Sequence, residues 1–137
     1  MTPVRVNQFY TPFKMNIQQY FDFCLSKKGV TEHFPFDQDT LVFKVGGKMF
    51  ALSSVSGWES GNPSANLKCD PEKADELRGE FDGITPGWHM SKVHWNTVKI
   101  NADVPDKLLK ELINDSYELI FKSLTKKIQT EIAELEN

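Results

Sequence analysis

Lys44, Lys48, Lys68, Lys92 and Lys99 stand in segments where apolar and polar residues alternate. Residues 41 to 69 together with 83 to 100 set these five cations against one acid, Glu59, a local excess of four positive charges. Ammonium groups on strands and turns suit phosphate oxygens, while Trp88, Trp95, His89 and His94 beside them offer stacking surfaces and Asn96 a base-edge amide. The candidate nucleic-acid contacts are therefore Lys44, Lys48, Lys68, His89, Lys92, His94, Trp95, Asn96 and Lys99. The only arginines are Arg5 and Arg78, and neither lies in these segments. Bidentate reading of guanine is thus unsupported, and the expected binding is weak, electrostatic and salt-sensitive. The competing explanation is structural: lysines blunt sheet edges, and a Trp ahead of a strand is more often core than platform.

Other chemistry finds less support. His89 and His94 are five apart, and no Cys or carboxylate completes a metal-ligand spacing, so no metal and no cofactor are expected. Cys24 and Cys69 lie in no C-x-x-C motif and read as buried, reduced thiols. No serine sits in a nucleophile elbow and no triad pattern occurs, so catalytic residues are not assigned. Asp70 and Glu72 are accounted for by helix capping, and Gly46-Gly47 by a turn.

The elements that must position these residues follow from size and periodicity. A chain of 137 residues, 39% hydrophobic and 12% aromatic, is one domain able to bury a core. A formal net charge of −3 excludes a uniformly basic surface, so a polyanion site must be a local patch. No run approaches the roughly 18 to 20 apolar residues of a membrane span, and the expectation is a cytoplasmic protein without membrane contact. Met1 to Lys14 reads as an arm without period, and 15–137 as the single domain.

Asn16 caps a helix bearing Ile17, Tyr20, Phe21, Cys24 and Leu25, with Gly29 beyond its end. Leu41 to Val45, Gly46-Gly47 and Lys48 to Leu52 form a hairpin with a type I′ turn. Strict alternation through it puts Leu41, Phe43, Val45, Phe50 and Leu52 on one face, and Lys44 on the other. Ser53 to Pro63 reads as an exposed connection in which Trp58 pins the loop or marks a contact surface. Ala65 to Cys69 reads as a strand, and Asp70-Pro71-Glu72 opens a helix. Trp88 to Ser91 and Trp95 to Ile100 make a second hairpin. From Pro105 a broad apolar helical face begins, with a break expected at Asp115 to Glu118. The order α-β3-α-β2-α predicts a two-layer α+β sandwich, an antiparallel sheet with helices on one face.

Blocks along the chain resemble the MmcQ/YjbR family of small bacterial proteins. These are Gly29-Val30-Thr31-Glu32 leading to Phe34-Pro35-Phe36, then Val42 to Phe50, Leu67 to Glu72, His89 to Val98, and Ser116 to Ile120. Together they cover Met15 to Lys127. The resemblance implies a fold similar to CyaY-like and secretion-chaperone-like domains, and DNA binding through a double-wing surface built from hairpins. It also implies a domain starting near Met15. Where the family pattern has Pro, Thr125 precedes Lys126-Lys127, a departure that permits a continuous terminal helix.

The resulting expectation is a monomeric, non-enzymatic protein that binds nucleic acid, double-stranded DNA first. A protein- or peptide-binding adaptor is the alternative, and a small-molecule binder or enzyme, which would need a pocket with converging polar groups, is the third reading.

Overall fold

The computed structural model describes residues 14–87 and 90–136. The arm before Lys14 lies outside these residues, as do the candidate stacking residues Trp88 and His89. Asn16 starts α1 (Ile17–Leu25) by a reciprocal box: its side chain accepts from the Gln19 N–H at 2.8 Å, and the Gln19 side chain accepts from the Asn16 N–H at 2.9 Å. A short strand, β1 (Val30–His33), follows. Its burial shows no alternation, so the sequence offered no strand period there.

The hairpin of β2 (Thr40–Val45) and β3 (Lys48–Ser54) turns on Gly46 and Gly47, whose φ angles of 59° and 82° fit the expected turn. Its register departs from strict alternation. Val45 pairs with Lys48 and Lys44 with Met49, but Phe43 then pairs with Ala51, so Phe50 is an extra residue in β3. This β-bulge sends both Phe50 and Ala51 into the main core and Leu52 out to the opposite face, beside Val42. Leu52 therefore does not share a face with Leu41, Phe43 and Val45, as alternation alone required.

The segment expected to be an exposed connection forms α2 (Val55–Glu59), capped by Ser54. Trp58 faces inward from it, 5.4 Å from the Tyr20 ring, and its indole N–H donates to Ser53 Oγ at 2.8 Å. It pins the connection, half-buried against the core. β4 (Ser64–Lys68) and α3 (Pro71–Glu80), capped by Asp70, come next. β5 (Ile84–Pro86) pairs with β6 (Trp95–Lys99); of the strand expected over 88–91, Met90 and Ser91 carry no strand, and Trp88 and His89 lie outside the described residues. Gly87 closes this pair by donating its N–H to Trp95 O at 2.8 Å. A Cβ at Gly87 would lie 2.7 Å from Trp95 Cβ, which explains glycine at this approach.

α4 (Asp106–Lys122) runs unbroken through residues 115–118, and the break falls after it. Thr125 Oγ1 accepts from the Ile128 N–H and caps α5 (Lys126–Ala133), so the terminal region is two helices rather than one continuous one. The sheet is antiparallel in the order β1-β2-β3-β4-β6-β5. The five helices of the described residues pack on one face around a core that includes Tyr20, Phe43, Phe50, Leu77, Ile113 and Ile132. The two-layer α+β class stands as expected, with more elements than the sequence order suggested.

Ser116 explains why α4 does not break where a cap was expected. Its side chain is fully buried, donating to Phe50 O at 2.6 Å and accepting from the Lys68 N–H at 2.9 Å. β3 and β4 pair directly at Ala51 with Leu67 and at Leu52 with Asn66. Where the next rung would join Phe50 to Lys68, the hydroxyl of a helix residue takes its place. Replacing Ser116→Ala leaves a buried carbonyl and a half-buried amide without this partner, an expected loss of about 1–3 kcal/mol, read from urea denaturation against the unaltered protein.

Candidate nucleic-acid interface

The strands sort the candidate lysines by face. Leu41, Phe43 and Val45 of β2 enter the helix-side core, while Val42 belongs to a second cluster with Leu52 and Trp95 on the far face. Lys44 shares the parity of Val42 and pairs with Thr31, so both project from the far face. On β4, Ala65 and Leu67 face the helices, which leaves Ser64, Asn66 and Lys68 on the far side. Lys68 stands opposite Trp95, and Thr97 and Lys99 follow on the same side of β6. On that face Thr97 Oγ1 donates to Asn66 Oδ1 at 2.6 Å, and Thr31 Oγ1 lies 2.7 Å from His33 Nε2. Among the described strand positions of the far face there is no carboxylate.

Lys48 belongs elsewhere. It projects on the helix side, and its Nζ lies 3.4 Å from Ser123 Oγ at the C-terminal end of α4. A Cβ on Gly46 would lie 2.5 Å from Leu124 Cδ1, so the β2–β3 tip is seated on the corner between α4 and α5. The first hairpin is not a projecting wing.

Two further candidates sit inside the fold. Asn96 is 3% exposed: its Oδ1 accepts from Arg78 Nε at 2.7 Å, and its Nδ2 donates to Ala74 O at 3.4 Å. Its amide is occupied and cannot read a base edge. Trp95, 9% exposed, packs with Val42 and Leu52 under Met49 and Met90, so it is a core aromatic of the far face rather than a stacking platform. Arg78 also donates to Trp95 O and Lys92 O, tying α3 to the β5–β6 connection. Lys92 and His94 are exposed on that connection.

Sequence reasoning missed His33, because β1 went unrecognised, and the exposure of the aromatics after it. Phe34 and Phe36 are 49% and 64% exposed on the β1–β2 connection. A signal was present: two aromatics flanking Pro35 in a turn-rich stretch have no helical or strand partner face.

Sites for other chemistry can be placed too. Burial pushes the Cys24 thiol up to about 12 and the neighbouring Tyr20 hydroxyl well above its ordinary value, so Cys24 is not a thiolate nucleophile. A groove of about 630 Å³ is lined by Lys27, Lys28, Asn114, Tyr117, Phe121 and Ile132. Its cations are engaged: Lys27 donates to Asn114 and lies over the Phe23 ring, and Lys28 donates to Ala133 O at 3.0 Å. Among the described residues no helix is long and apolar enough to cross a membrane, and no group of three His, Cys, Asp or Glu is placed to hold a metal.

An antiparallel sheet covered by helices on one side, with lysines on the other, defines an open-faced two-layer α+β domain. Within that class, the YjbR family model matches residues 25–119, and the chain belongs to the YjbR family. It is 40% identical over 99 residues to protein YbdF of Escherichia coli O157:H7, across 72% of this chain and 79% of that one. It is 31% identical over 104 residues to YjbR of Escherichia coli K12, across 76% and 86%. The crystal structure of Deinococcus radiodurans protein DR2400 is similar with a TM-score of 0.80 at 37% identity, covering 89% of this chain and 90% of that one. A Pseudomonas syringae crystal structure gives 0.66 at 32%, covering 77% and 99%.

The β1–β2 connection is braced by its own acids. N–H groups of Thr40 and Asp39 donate to Asp37, and the Ser54 hydroxyl and Ser56 N–H donate to Asp39. These bonds hold both carboxyls below the usual range. A lowered folded value means the stabilisation is complete above the unfolded value, near pH 4, and is lost as pH falls through the folded one. Thermal melts taken from neutral pH down through the carboxylate range should show that loss, with a shallower acid slope for Asp39→Asn.

Proposed function

We propose that this is a non-enzymatic nucleic-acid-binding protein that holds phosphates against the far face of its sheet. The observation that carries the reading is the distribution of charge. Lys44, Lys68, Lys99 and His33 occupy strand positions of a face whose described strand positions include no carboxylate. The acids instead lie elsewhere, six of them between Asp70 and Asp82 on and around α3. Lys44 and Lys68 stand two strands apart, about 10 Å, and Lys99 lies about 13 Å along β6 from the position facing Lys68. Separate cations at such distances can meet successive or alternate phosphates, and Lys92 and His94 are exposed on the connection that leads into β6. An ammonium recognises phosphate as a point charge, which favours affinity set by salt over recognition of sequence.

Fluorescence anisotropy with labelled oligonucleotides across a salt series tests the reading. Three neutralised phosphates give a log–log slope of about 2 to 3 in magnitude. Lys44→Glu/Lys68→Glu should abolish binding, whereas Lys48→Glu, on the helix side, should leave it near the unaltered level. Flat traces at low salt overturn the proposal and put the peptide-adaptor reading in its place.

A further inference from the structure

We infer that the nucleic acid recognised is single-stranded, its phosphates lying over the far-face lysines and its bases stacking on Phe34 and Phe36. This deepens the proposed function and rests on it. A duplex is read by elements that enter a groove, and the major groove, about 12 Å wide, admits a helix or a two-stranded ribbon. The far face is a six-stranded sheet, about 24 Å across at ordinary strand spacing, too broad to enter. The longer of the two described ribbons, β2–β3, has its tip seated on Leu124. A flexible strand with unpaired bases can lie across such a surface.

That mode needs rings with free faces beside a cationic track. Trp95 is buried and supplies none. Phe34 and Phe36 are 49% and 64% exposed. Their connection leaves the sheet at His33, which pairs with Val42 on the lysine face, and re-enters it at Thr40. Lys44 lies two residues along β2 from Val42, about 7 Å. Asp37 accepts from the connection's own Asp39 and Thr40 N–H groups, and Asp39 accepts from the Ser54 hydroxyl and the Ser56 N–H at the β3–α2 junction, so the two acids brace the connection. The rings are thus exposed on a held connection that leaves the lysine face at His33, and among the described residues no other ring is stacked on them.

The experiment compares a labelled oligothymidylate with a mixed-sequence duplex of equal length, for the full-length protein and for Phe34→Leu/Phe36→Leu. Leucine keeps apolar bulk and removes the π face, and both positions are exposed enough to leave folding intact, checked by thermal melting. The expected result is tighter binding of oligothymidylate than of duplex, weakened about tenfold or more by the double substitution, with duplex binding unchanged. Duplex bound as tightly as oligothymidylate, or oligothymidylate binding unaffected by the substitutions, overturns the inference and leaves the electrostatic reading standing. Absence of binding to either probe at low salt removes both.

Discussion

One hydroxyl from the helix layer completes the junction between the two halves of the sheet. Ser116 reaches from the helix layer into the strand layer and completes, through its own oxygen, the link between the Phe50 carbonyl and the Lys68 amide. An antiparallel ladder leaves no buried carbonyl or amide unmatched, so wherever it opens a partner must be found. Here the partner is a side chain of α4, and the cost of opening the ladder is offset by fixing that helix over the junction of β3 and β4. The placement of Leu112, Ile113, Tyr117 and Ile120 in the core follows from where Ser116 is held.

The opening itself belongs with the Phe50 bulge. Phe50 and Ala51 both turn toward the helices, which thickens the core beneath α4, where the Phe50 and Tyr117 rings meet edge to face at 5.5 Å. The same extra residue reverses Leu52 and gives the far face an apolar centre with Val42 and Trp95. The sheet therefore has two hydrophobic sides of unequal size, and the lysines of the smaller side surround packed side chains.

Much of the architecture was legible in the sequence because local chemistry and tertiary packing agree. Asn16, Gly46-Gly47 and Asp70-Pro71 each specify one conformation, and the structure adopts it. The errors arise where a distant contact decides. Ser116 looks like a cap beside Tyr117 and Glu118, yet a carbonyl on β3 claims its hydroxyl. No local rule marks Phe50 as an extra residue, and one inserted position inverts everything after it. Trp58 in a Gly/Ser loop reads as exposed because Tyr20, its partner, is 38 positions away. Of the candidate contacts, Lys44, Lys68 and Lys99 could be assigned to one face by parity alone. Asn96 could not be excluded without knowing that Arg78 reaches it from α3.

The position of Ser116 in the chain also bears on how the molecule comes to be made. Every strand precedes α4 in sequence, and a growing polypeptide emerges N-terminus first. Until α4 has left the ribosome, β3 and β4 lack the residue that seals their junction, and Phe50 lacks the Tyr117 ring that covers it. The sheet can begin to pair during synthesis but cannot close. Folding to completion is thus deferred until α4 has emerged, and the nascent chain must keep an apolar sheet from its neighbours for the whole of that interval.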